Sequence, residues 1–187
     1  MIRQVKSPVA ASLLLLAVVT FSATSGCDHS RNAGGMGCPT NLAEPGALLT
    51  PGSPFPPLTA DGWFNGDAPS PEELQGQVFV VDIWASWCGP CKQATPELIA
   101  TYEHYKERGV RFFGLSQDAP DTLEDARDFV KKAGVPWPNG YGASTADSLG
   151  IKFIPTLFVV GRDGRVVWHN HGSPGSLDEA IASALGG

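Results

Sequence analysis

The sequence predicts an α/β fold in which helices pack on a central mixed β-sheet, and three observations carry that expectation. Residues 78–84 read Val-Phe-Val-Val-Asp-Ile-Trp, an almost unbroken apolar run that suits a central strand covered on both faces. Helical spacing and further short apolar runs alternate after it. Near the C-terminus two such runs, 156–160 and 165–168, flank Gly161-Arg162-Asp163-Gly164, the composition of a turn between antiparallel strands. Strand, helix, strand, then hairpin and helix, is a layered sandwich around one sheet.

Each element has its own signal. Leu98, Tyr102 and Tyr105 fall at i, i+4 and i+7 and give a helix one buried stripe, which Gly109 ends as a left-handed cap. Residues 110–115 read as a second strand. Asp121 is placed to cap a further helix whose Leu123, Ala126, Phe129 and Val130 share a face. Ser176 and Glu179 have capping-box spacing and open a last helix with Leu177, Ile181 and Leu185 on one side.

Composition bounds the rest. A chain of 187 residues with 42% hydrophobic content can bury one ordinary core, not two large ones. The formal net charge of -6, with no cluster of basic residues, argues against a nucleic-acid partner. Arg3 and Lys6, an apolar run from about Val9 to Phe21 and small residues from Ser22 to Gly26 follow the order of a secretory signal. That run is shorter than a spanning helix requires. Residues 1–26 are therefore expected to be a signal peptide, residues 27–50 a Gly/Pro-rich tether and residues 51–187 the folded domain. The low periodicity and the prolines at 39, 45, 51, 54, 56 and 57 extend the tether's character to about residue 60. Cys38, within it, has no assigned role.

The chemistry is expected at Trp87-Cys88-Gly89-Pro90-Cys91-Lys92, directly after the central strand and at the start of the next helix. Free N–H groups and the partial positive charge there favour a thiolate at Cys88. Two cysteines separated by two residues on one turn close a small disulfide with little rearrangement. Cys88, nearer the exposed helix start, is the expected attacking thiol, and Cys91, deeper, resolves the mixed disulfide. Pro90 sits in the first turn, where its missing donor is harmless. The alternative, half of a zinc site, needs another ligand pair, and His169 with His171 is the compact candidate. Those two read better as polar residues at a strand end, and His104 as part of a solvated helix face.

Residues 80–92, Val-Val-Asp-Ile-Trp-Ala-Ser-Trp-Cys-Gly-Pro-Cys-Lys, resemble the active-site region of thioredoxin, including the dipeptide between the cysteines. The resemblance implies a thioredoxin fold. It matches Asp82 to the buried acid before the nucleophile, Pro96 to the helix-kinking proline, Ile154-Pro155-Thr156 to the cis-proline segment facing the disulfide, and Gly172 to the glycine before the last helix. Asp82 becomes the candidate general base for Cys91, since a buried acid with a raised pKa can accept its proton. Pro155 in cis would leave a backbone edge for a substrate peptide; otherwise it starts an edge strand. Trp87, Gly89, Pro90, Ile154, Pro155 and Thr156 are thus the expected substrate-binding residues. One departure stands out: where thioredoxin places a lysine near the acid, this chain has Gly114.

Cys88 and Pro155 lie 67 positions apart, more than in plain thioredoxin, so residues 121–151 hold an inserted helix-strand unit. That resembles the TlpA/ResA-type branch of exported or membrane-attached thioredoxin-like proteins, with residues 51–76 as its N-terminal hairpin. The match spans about residues 50–185. Thr24-Ser25-Gly26-Cys27 resembles a bacterial lipobox, with Thr24 in place of the usual aliphatic residue, which makes Cys27 a candidate lipidation site anchoring the protein at a membrane surface. The implied function is an extracytoplasmic thiol–disulfide oxidoreductase reducing exported proteins, with cytochrome c maturation as the leading use and a membrane thiol donor as electron source. No cofactor beyond the Cys88–Cys91 disulfide, and no metal, is expected. The alternatives are an oxidant or isomerase using the same cysteines, and a copper or zinc carrier.

Overall fold

The computed structural model describes residues 47–142 and 144–186. The signal peptide, Cys27 and Cys38 lie outside the described residues. Six strands are seen among them: β1 (Gly62–Phe64), β2 (Phe79–Trp84), β3 (Arg111–Ser116), β4 (Asn139–Tyr141), β5 (Thr156–Val160) and β6 (Val166–His169). They form one mixed sheet in the order β1-β4-β3-β2-β5-β6. β2 is central, as its composition requires, and every residue of it except Asp82 is buried. β2, β3 and β4 are parallel neighbours, while β5, β6 and β1 run antiparallel to theirs.

Helices α2 (Gly89–Tyr105), α3 (Leu123–Ala133) and α5 (Leu177–Leu185) cover one face, meeting Val80, Trp84, Phe112 and Val159 through Leu98, Val130 and Ile181. The opposite face, with Val81, Ile83, Phe113 and Phe158, is covered by Leu49, Leu58 and Phe55, by Leu74 of α1 (Pro71–Leu74), and by Ala146 and Leu149 at α4 (Ser144–Ser148). Gly109, at φ 81°, ends the short 3-10 extension of α2. The Ser176–Glu179 capping box is present. Among the described residues no helix is long and apolar enough to cross a membrane.

Three expectations change. The tether does not reach residue 60: Leu49 and Leu58 are buried, because the sheet face would otherwise be bare. Residues 51–76 do not pair with themselves as a hairpin. Instead Pro54 bridges Arg165 beside one edge strand, and β1 pairs with β4 at the other edge. Asp121 is not the cap of α3; Thr122 occupies that position without a side-chain cap bond. The expected inserted helix-strand unit is present: α3, β4 and α4 fall within residues 121–151, and β4 adds a parallel strand beside β3.

Candidate active site

The chain leaves β2 in a tight turn. The Cys88 N–H donates to the Ala85 carbonyl at 3.0 Å, which brings Cys88 to the N-cap of α2. There the Cys91 N–H donates to Cys88 Sγ at 3.1 Å. An amide aimed at this sulfur, together with the helix start, stabilises negative charge on it once the pair is reduced. Cys88 and Cys91 are closed as a disulfide, with Cα atoms 5.3 Å apart. Both are 4% exposed, so the expected contrast in exposure is absent. Their roles differ through the cap: one sulfur receives the amide and the other sits a turn deeper.

The Ile154–Pro155 peptide is cis. The Ile154 carbonyl oxygen lies 3.8 Å from Cys88 Sγ, a contact in the disulfide and an acceptor for the thiol after reduction. Three side chains hold this segment. Thr156 Oγ1 donates to the Phe153 carbonyl at 2.6 Å, so His171 Nε2, 2.8 Å from the same hydroxyl, is the donor to it. Asn170 accepts from the Leu157 N–H at 2.9 Å and donates to the Pro155 carbonyl at 3.1 Å, extending the β5–β6 pairing by one step. Among the described residues Trp87 and Phe153 are the two exposed large hydrophobics, 64% and 72% accessible, one beside the nucleophile and one beside the cis-proline segment.

Asp82 lies beneath Cys91. They share a cavity of about 170 Å³ whose other walls include Thr95, Leu98, Pro155, Leu157 and Asp178. Part of the Asp82 side chain opens to that cavity, while protein surrounds the carboxyl elsewhere, and burial pushes its pKa up from 3.8 to about 7. β2 pairs Asp82 with Gly114 on one side and Leu157 on the other. No cation is presented at Gly114. A Cβ there would fall on Asn139 Oδ1, which accepts from Trp84 Nε1 at 3.0 Å.

A paired cysteine at a helix start, a cis-proline opposite it and a raised acid beneath it form a thiol–disulfide exchange site. The Redoxin family model matches residues 50–185. The chain belongs to the Redoxin family. Relatives named thiol-disulfide oxidoreductase ResA include one from Bacillus thuringiensis strain Al Hakam, 31% identical over 98 residues, covering 51% of this chain and 56% of the relative. The Bacillus subtilis strain 168 protein of that name is 27% identical over 105 residues, covering 55% and 58%. The chain thus spans little more than half the length of these curated relatives. A crystal structure of a putative thiol:disulfide interchange protein DsbE from Chlorobium tepidum is 28% identical with a TM-score of 0.64, covering 74% of this chain and 99% of that one. The fold of this Redoxin-family chain is thioredoxin-like, and the ResA-type resemblance read from the sequence holds.

The site brings together Cys88, Cys91, Asp82, Trp87, Gly89, Pro90, Ile154, Pro155 and Thr156. Trp87, Gly89 and Pro90 are exposed around the disulfide, and Thr156 is buried as a prop rather than offered to a substrate. Gly172, at φ 120°, lies in the turn after β6. His104 is exposed, as expected. His169 Nδ1 accepts the His171 backbone N–H at 3.2 Å, and burial, with His171 nearby, holds its pKa below the usual value. Among the described residues no three His, Cys, Asp or Glu side chains form a group able to hold a metal. Sequence reasoning missed Phe153, Asn170 and the propping role of His171. It also missed Asp118, fully buried behind the redox turn. An apolar Phe153 next to Lys152 in an irregular stretch was the one local signal among these.

Proposed function

We propose that this chain reduces disulfides of exported polypeptides through Cys88 and Cys91. The Cys88 thiolate attacks one sulfur of the client disulfide, the client S–S bond breaks, and the departing client sulfur leaves as a thiolate. Cys91 then passes its proton to Asp82 and attacks Cys88 Sγ, releasing the second client thiolate and leaving the Cys88–Cys91 disulfide. Two electrons have moved to the client. A dithiol donor must restore the pair, and a membrane thiol carrier is the donor this reading assigns. The observation that carries the reading is the Cys91 N–H on Cys88 Sγ at 3.1 Å, with Asp82 in the cavity beneath Cys91. Trp87 and Phe153 give an extended client apolar contacts on either side of its cysteine.

We place the protein outside the cytoplasm, held at the membrane by lipidated Cys27, with apocytochrome c as the leading client; the N-terminal pattern and the ResA-named relatives support this. The decisive experiment is trapping in the host cell. Cys91→Ser is expected to accumulate as a mixed disulfide through Cys88, and Cys88→Ser to capture nothing. Equal capture by both variants would refute the assignment of roles. An equilibrium with glutathione at the potential of a strong oxidant would refute the direction.

A further inference from the structure

Asp118 takes no part in the exchange chemistry above, yet it lies fully buried directly behind the turn that presents Cys88. Its carboxylate accepts from three donors: the Ser86 N–H at 2.7 Å, the Ser86 hydroxyl at 2.6 Å and the Ser116 hydroxyl at 2.5 Å. Its own N–H donates back to Ser116 Oγ at 3.0 Å, and its carbonyl accepts from Gly142 N–H at 3.1 Å. The Gln117 N–H donates to the Trp84 carbonyl at 2.9 Å, so the ends of β2 and β3 are locked together here. Ser86 is the first of the two central residues in the turn that the Cys88 N–H closes on Ala85. Trp87, the second, points outward and Cys88 follows as the cap of α2.

Burying a carboxylate among neutral donors is unfavourable compared with burying an amide of the same shape. An asparagine could hold the turn with one accepted bond fewer. What it could not supply is a fixed negative charge. Two peptide steps separate Ser86 from Cys88, at most about 7.6 Å between Cα atoms, which places the charge on the order of 10 Å from the sulfur. At interior effective dielectric, a unit charge at that range moves a thiol's pKa by about one unit. A negative charge disfavours the thiolate, hence the reduced form, and makes the dithiol a more willing electron donor.

From this geometry we infer that Asp118 is a positioning residue of the redox turn, fixing Ser86 so that Cys88 caps α2 and opposing thiolate charge at Cys88 to keep the pair reducing. It acts through Ser86 and through its field, touching neither sulfur. The inference rests on the thiol–disulfide reading but not on any particular client.

The test uses the full chain as wild type, Asp118→Asn and Ser86→Ala. Two measurements are made: the pH midpoint of Cys88 alkylation, and the equilibrium in which protein disulfide and two glutathione thiols give protein dithiol and glutathione disulfide. Asp118→Asn is expected to lower the midpoint by about one unit and to shift the equilibrium three- to tenfold toward the dithiol. Ser86→Ala keeps the charge but removes a donor that compensates it, so its midpoint is expected to rise. The other ionisable groups around the disulfide, Asp82, Cys91, Lys92 and His171, are the same in every variant. Opposite shifts support the inference. Shifts of the same sign, or melting temperatures that fall while both redox readouts stay within twofold of wild type, overturn it. Should Asp118→Asn fail to fold, Ser86→Ala decides alone, a rise supporting and no change overturning. A wild-type chain with no glutathione equilibrium would instead defeat the thiol–disulfide reading itself.

Discussion

Replacing Asp82 with Asn should make the oxidised protein more stable and a slower enzyme. Burial raises the folded-state pKa of Asp82 from 3.8 to about 7. A raised folded pKa means that the protonated acid suits the fold better than the anion does. The stability tied to this group is therefore complete below pH 3.8, falls as pH rises through the window to about 7, and is flat above it. Three-odd units at about 1.4 kcal/mol each give ~4 kcal/mol as the ceiling for that loss. Part of the side chain opens to the cavity, so solvent screening reduces this, and about 2 kcal/mol is the expected size. Asparagine carries no such charge, so Asp82→Asn should gain about 2 kcal/mol over wild type at pH 8 and nothing near pH 4. Urea unfolding of both oxidised proteins at pH 4, 6 and 8 measures it. Resolution of the mixed disulfide is expected to step in rate near pH 7 in wild type and to lose that step in Asp82→Asn. Parallel stability curves for the two proteins from pH 4 to 8 would refute the reasoning, because Asp82 would then titrate alike folded and unfolded.

Other perturbations probe separate links. Trp87→Ala and Phe153→Ala remove exposed rings and should leave the melting temperature within about 2 °C, while raising KM for a peptide disulfide several-fold; steady-state kinetics separates this from an effect on kcat. Gly114→Ala places a methyl group on Asn139 Oδ1 and breaks its bond to Trp84, which should destabilise by about 1–3 kcal/mol in urea titration. Ser176→Ala deletes the acceptor for the Glu179 N–H at the start of α5 and should lose about 1 kcal/mol in the same assay, with the potential unchanged.

What the sequence disclosed was what short-range physics encodes. The run at 78–84 could only be a covered strand, and α2 and α5 announced themselves through apolar spacing and a capping box. The Cys88–Cys91 spacing told of a closable pair, and the resemblance to thioredoxin put Gly114 beside Asp82, where the register places it. What escaped was long-range. β1 is three residues long and finds its partner at 139–141, and a strand that short carries no alternation to read. Asp118 reaches Ser86 across 32 positions, joined only because β2 and β3 end side by side. The equal exposure of the two cysteines depends on how the cis-proline segment closes over them, which no local pattern specifies.

The stretch before β2 lies along both borders of the sheet. Around Pro54 it pairs with β6: Gly52 N–H donates to the Val166 carbonyl at 2.8 Å, and the Val166 N–H returns a bond to Ser53 at 2.9 Å. Farther on, β1 seals β4 with three residues. A foreign strand therefore meets the Val166 end of β6 already paired and, at the other margin, only the three residues of β1. For a protein whose proposed partners arrive unfolded, with their own amides unpaired, such a hem keeps a chance encounter from becoming an aggregate.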